Sequence, residues 1–166
     1  MRVPQRASVV IDLIKQHDYK RIAEIGVCKG EMAMPILEAC DLDYYALIDP
    51  ALNNSLGIYD FLANHPEAKL FEMTSLEASV YFSDTHNMLD LVIIDAIHTE
   101  EAVDEDIHLW TPKVCNGGIM CGHDYDNRRF PGVKIAVDRF YDEARIKTFL
   151  VRMCKMWVFH KVGSSW

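Results

Sequence analysis

The chain lacks an excess of basic residues. Seventeen lysines and arginines stand against 25 aspartates and glutamates, for a net charge of −8. Nucleic acid and anionic membrane surfaces both select a basic face, so neither is expected as a partner, although Arg128, Arg129 and Lys134 form a local basic grouping. Long apolar runs are also missing. None approaches the ~20 residues that cross a bilayer, and no apolar stretch of about 7–15 residues precedes a small-residue cleavage site near the start. A cytoplasmic protein is the expectation. Paired cysteines are lacking too: the five present (Cys28, Cys40, Cys115, Cys121, Cys154) are odd in number and never spaced C-x-x-C. That excludes a disulfide framework or a structural zinc site as the organising device. With no repeat and no linker, 166 residues of which half are apolar make one domain, residues 1–166, with a substantial core.

What is present is an alternation. Val9, Val10, Leu13 and Ile14 recur at helical spacing between Pro4 and Asp18, which predicts an opening helix, within residues 1–20, that packs on or caps a sheet. Short apolar strands are expected at Arg21–Ile25, Tyr44–Ile48, Lys69–Met73, Leu89–Ile94 and Ile119–Gly122. Helices fall between them at Glu31–Cys40, Ser55–Asn64, Leu76–Phe82 and Glu100–Trp110, with another at Gly132–Ala144. Pro35 is tolerable because it lies in the first turns of its helix. The run Leu89–Ile94, apolar but for Asp90, suits a central strand buried on both faces. Two last strands, Thr148–Arg152 and Met156–Lys161, are close enough for an antiparallel hairpin. The fold class is therefore α/β: a seven-stranded, mostly parallel sheet with a C-terminal antiparallel hairpin and helices on both faces.

Open α/β sheets bind ligands beyond the carboxyl ends of their strands. The first strand exits into Glu24-Ile25-Gly26-Val27-Cys28-Lys29-Gly30, and the second ends on Asp49-Pro50. Glycines at such an exit permit a tight turn and close ligand approach, and an acid after the next strand can accept hydrogen bonds from ribose hydroxyls. A dinucleotide site asks for G-x-G-x-x-G. Here Cys28 replaces the second glycine and Glu31 puts a carboxylate where phosphate would lie, which disfavours NAD.

The segment Glu24–Gly30 instead resembles the E/D-x-G-x-x-x-G signature of class I S-adenosylmethionine-dependent methyltransferases, which carry a Rossmann-like sheet. The resemblance implies that Glu24, Gly26, Val27 and Gly30 surround the methionine moiety of S-adenosylmethionine. It further implies that Asp49 holds the ribose and that Ser75, after the third strand, lies at the adenine end, with Asp95 also bordering the cofactor.

The fourth strand ends in Ile94-Asp95-Ala96-Ile97-His98 and the fifth in Cys121-Gly122-His123-Asp124-Tyr125. Neighbouring parallel strands place both clusters on one rim. Together with Phe130–Lys134 and Ala136–Phe140, they resemble short O-methyltransferases that act on small molecules and sugars, a likeness spanning about Arg21 to Phe140. Metal-dependent relatives carry an Asp after the fourth strand and an acid followed by Asp or Asn after the fifth. Asp95 and Asp124 match these positions, whereas His123 stands where an acid is usual. The implied metal ligands are Asp95, His123 and Asp124. The histidine weakens the case for Mg2+, a hard ion that prefers oxygen, relative to a softer divalent metal or none.

Transfer of a methyl group to oxygen requires loss of the hydroxyl proton. His98 lies three residues after Asp95, where the resemblance implies a basic group near the acceptor hydroxyl, and a histidine titrates in the useful range. His98 is the expected general base, with Asp95 as the second catalytic residue and a divalent ion on Asp95, Asp124 and His123 aiding it. The expected activity is methyl transfer from S-adenosylmethionine to a hydroxyl of a small molecule or sugar. The alternatives are a non-catalytic S-adenosylmethionine-binding partner subunit and a nucleotide-dependent oxidoreductase. Only Pro4–Asp18 and the loop from Asp124 to Pro131 are available to cover a substrate, so either the acceptor lies in an open groove or a homo-oligomer completes the pocket.

Overall fold

A computed structural model describes residues 3–84, 88–144 and 149–162. The elements run α1 (Gln5–His17), β1 (Arg21–Ile25), α2 (Ala33–Ala39), β2 (Tyr44–Ile48), α3 (Ile58–Leu62), β3 (Ala68–Phe71), α4 (Ser75–Tyr81), β4 (Leu89–Ile94), α5 (Glu100–Trp110), β5 (Val114–Gly122), α6 (Pro131–Glu143), β6 (Phe149–Arg152) and β7 (Met156–His160). Thr148, the expected first residue of the penultimate strand, lies outside the described residues.

The strands form one seven-stranded sheet in the order β3-β2-β1-β4-β5-β7-β6. The first five run parallel. β7 is antiparallel to both β5 and β6, so the terminal hairpin enters the sheet through its second strand. The strand order reverses between β1 and β4, and this is where a doubly wound sheet opens a crevice.

Strand alternation divides the core in two. Ala23, Ile25, Ala46, Ile48, Val92, Ile94 and Met120 face α4, α5 and α6, where Ile107, Trp110 and Phe140 pack with Trp157 and Phe159. Ile22, Tyr45, Leu47, Leu91, Ile93 and Ile119 face α1, α2 and α3. The buried side of α1 is Ala7, Val10, Leu13 and Ile14, so this helix lies on the second face beside α2. Among the described residues no helix is long and apolar enough to cross a membrane.

Two expectations change in detail. The helix expected over Ser55–Asn64 is a single 3-10 turn, Asn54–Leu56, followed by α3, which restarts after Gly57. The fifth strand begins earlier than Ile119: Val114 already pairs with Leu89, and the register then slips so that Ile119 pairs with Leu91. The segment between is a bulge on an otherwise buried strand, and Gly117 donates its N–H to the Lys161 carbonyl there.

Candidate active site

The carboxyl ends of β1, β2 and β4 carry the glycine turn. Gly26 N–H reaches back to the Ile48 carbonyl at 2.9 Å, and Asp95 N–H reaches the Ile25 carbonyl at 2.8 Å. At φ 92° and with Asp95 so close, a Cβ on Gly26 would lie 2.4 Å from the Asp95 carbonyl oxygen. The position is closed to any side chain. Gly30 is set by its backbone, at φ 77°, and a Cβ there would also crowd Ile58 Cδ1 at 2.4 Å.

Asp49 is the keystone of this turn. Its Oδ2 accepts from the backbone N–H groups of Val27 (3.0 Å) and Cys28 (2.7 Å), and its Oδ1 from that of Ala51 (2.8 Å). The acid expected to hold a ribose therefore also holds the loop, through three amides that would otherwise lack partners.

Between these loops and α5 opens a cleft of about 510 Å³, within the range of small-molecule sites. Of the expected cofactor residues, Gly26, Asp49, Ser75 and Asp95 line it, while Glu24, Val27 and Gly30 do not. Strand parity turns Glu24 toward the α1–α2 face, where the Tyr45 hydroxyl donates to its carboxylate. Burial pushes the Glu24 carboxyl up to about 8, with the Tyr45 hydrogen bond opposing and the Asp95 charge adding to the rise.

The rim beside the cleft brings Asp95, His98 and Asp124 together, one donor atom from each lying within 4.8 Å of the others. His98 Nε2 stands 3.3 Å from Asp95 Oδ1 and 3.1 Å from Asp124 Oδ2. Its ring stacks on Phe130 with centroids 4.5 Å apart. The hydrogen bond to Asp95 raises the His98 pKa; burial opposes this, and both carboxylate charges add to it. For Asp124 burial acts upward, but the Asn127 hydrogen bond and the charges of His123 and His98 outweigh it, leaving the carboxyl below its ordinary range. Asn127 Nδ2 donates to Asp124 Oδ1 at 2.5 Å. Tyr125 donates to Asp138 (2.7 Å) and accepts from Lys134 (2.9 Å), which ties the loop after β5 to α6.

His123 does not join the triad. Its Nδ1 is 3.3 Å from Asp124 Oδ2 and is buried without a hydrogen-bond partner. His98, expected as a base alone, occupies the third corner instead. Two carboxylates and one imidazole converging at a partly open rim are a donor set that fits a borderline divalent ion better than a hard one.

Sequence reasoning missed three contributors. Arg6 reaches over from α1: its Nη2 donates to Glu31 Oε2 at 3.1 Å and its Nε lies 3.8 Å from Asp95 Oδ2. Phe130 braces the imidazole, and Asp106 of α5 lines the cleft while almost fully buried. An acid on the inward face of α5, one position before the buried Ile107, was the one legible signal.

The sequence profile described as "Methyltransferase domain" matches residues 23–125. No curated protein matches the chain at a significant level. Among solved structures, an O-methyltransferase from Bacillus cereus in complex with S-adenosylhomocysteine superposes with a TM-score of 0.76 at 12% identity, over 95% of this chain and 81% of that one. A protein provisionally described as a caffeoyl-CoA O-methyltransferase, from Staphylococcus aureus, gives 0.72 at 17% identity, over 97% and 85%. At such identities the likeness speaks to the fold.

Proposed function

Since the chain belongs to the methyltransferase-domain family, we propose that it moves a methyl group from S-adenosylmethionine to a hydroxyl oxygen of a small acceptor, a sugar or another hydroxylated molecule. The observation that carries this reading is His98, set between Asp95 and Asp124 at the edge of the cleft that Gly26 and Asp49 open. In that position the imidazole takes the acceptor's proton as the oxygen attacks the methyl carbon, and the sulfur leaves as a neutral thioether. Asp95 and Asp124 orient the ring and stabilise the imidazolium that forms, which is worth about 10²–10⁴ in rate for a well-placed base. Phe130 covers one ring face and keeps the plane fixed.

A divalent ion, where one is used, would be held by Asp95, Asp124 and His98 and would lower the acceptor hydroxyl's pKa. In that second reading, favoured by the convergence of the three donors, His98 is a ligand and not the base.

The test is a screen of hydroxylated acceptors with methyl-labelled cofactor, run with and without chelator, on wild type and His98→Ala. Label transfer lost in His98→Ala but kept under chelation selects the imidazole as base; loss in both selects the metal. Binding of cofactor with no transfer to any acceptor would make the chain a partner subunit, and full turnover by His98→Ala would remove the role given to that residue.

A further inference from the structure

The acids of the rim have a cation beside them that the chemistry above does not use. Asp95 divides its two oxygens: Oδ1 faces His98 Nε2 at 3.3 Å, and Oδ2 faces Arg6 Nε at 3.8 Å. Arg6 stands in the first turn of α1, and Ala7 and Val10, both fully buried, fasten that turn to the sheet face. Its Nη2 donates to Glu31 Oε2 at 3.1 Å, just past the glycine turn. Its Nε is buried and makes no hydrogen bond among the described residues. A buried donor without a partner is costly, and here the charge of Asp95 offsets the cost. The guanidinium is thus held between two carboxylates, and it does not give up its proton. Its field reaches further along the rim. The Asp95 hydrogen bond raises the His98 pKa, and the Arg6 charge acts against that rise.

We infer that Arg6 is a resident cation of this rim, which keeps divalent metal ions off the Asp95–His98–Asp124 donor set and leaves the imidazole free to act as the base. The three donors converge as they would for an ion. An ion bound to Asp95, however, would have to share that carboxylate with the guanidinium. Like charges so placed repel strongly at a partly buried site, where the effective dielectric constant is about 20 rather than about 80. Deprotonation cannot relieve the clash. Glu31 and the docked helix hinder the side chain from swinging aside. The inference deepens the reading given above by choosing between its two roles for His98. It takes from methyl transfer only that role; the exclusion of metal stands or falls separately.

The experiment is calorimetric titration with Co2+, a borderline ion, of wild type, Arg6→Gln, Arg6→Lys and the double variant Arg6→Gln/Asp124→Asn, with no cofactor or acceptor present. Arg6→Gln should bind one ion about tenfold more tightly than wild type, or better. Arg6→Lys keeps the charge and should stay close to wild type. The double variant should lose the gain, because Asp124 is one of the donors. Mere structural damage would weaken binding, whereas the expected change is a strengthening. Wild type binding Co2+ as tightly as Arg6→Gln overturns the inference. A gain that survives in the double variant overturns it too, since the ion would then lie on Glu31 and not on the rim. An equal gain in Arg6→Lys also overturns it, because charge would not be the cause. Where Arg6→Gln does not fold, Arg6→Met is read in its place. Each of these failures leaves the methyltransferase reading standing, which the acceptor screen tests by itself.

Discussion

Single side chains at the rim do two jobs at once. Asp49 satisfies three backbone amides of the turn that borders the cleft. Asp49→Asn can accept through only one of its two head atoms, so at least one amide loses its partner, at a cost of about 1–3 kcal/mol. Calorimetry should show S-adenosylhomocysteine binding weakened about tenfold, with a lower Tm in the unliganded protein. His98 makes a second prediction. A base must be neutral to act, and Asp95 holds this imidazole protonated above the ordinary histidine value of 6.5. In chelator-treated protein, kcat/KM should rise with pH through a pKa above 6.5, and Asp124→Asn should move that limb downward. The same shift contributes stability that is present below the unfolded-state pKa and lost as pH rises through the folded one. Adjacency of Asp95 and Asp124 was legible because parallel neighbours end on the same rim. Arg6 was not, since nothing in an amphipathic helix announces which strand end its first turn will reach.

At the level of elements, boundaries were readable wherever burial alone decides them. Leu89–Ile94 is apolar but for Asp90 and is a strand buried at every position except that one; Glu100–Trp110 follows a Thr99 cap that accepts from Ala102 N–H. The failures lie where tertiary pairing overrides pattern. Residues 115–118 look like a turn and instead bulge within β5, because Val114 finds Leu89 across the sheet. The helix expected from Ser55 is interrupted, because two turns of different pitch meet at Gly57. α4 offers a clean test of local energetics. Thr74 accepts from Glu77 N–H while Glu77 reaches back to Thr74 N–H, a reciprocal cap. Thr74→Ala should cost about 1 kcal/mol and lower Tm by about 2–4 °C. Because Thr74 also borders the cleft, the same variant read by ligand titration separates helix fraying from contact loss.

In the molecule as a whole the cleft opens where the strand order reverses, between β1 and β4, with Gly26 and Asp95 in backbone contact across that reversal. A ligand seated there touches both halves of the sheet and binds only the folded state. S-adenosylhomocysteine at a hundredfold excess over Kd should therefore stabilise the protein by about 2.7 kcal/mol, a rise of about 5–10 °C in Tm, and NAD should produce none. Equal shifts from both ligands would return the turn to the dinucleotide class that Cys28 and Glu31 argue against. The α/β class and the direction of the sheet followed from alternation alone. The hydrogen bond from Trp110 of α5 to Ser75 of α4 did not, because it depends on how two helices lie side by side over one face. That same junction has an optical side. Trp110 is dry, and its indole N–H is tied to a hydroxyl that faces the cleft, so its ultraviolet emission is tuned by whatever Ser75 touches. Filling the cleft should therefore shift the emission of Trp110, and a Trp110→Phe variant, which keeps the other two tryptophans, should lose that shift.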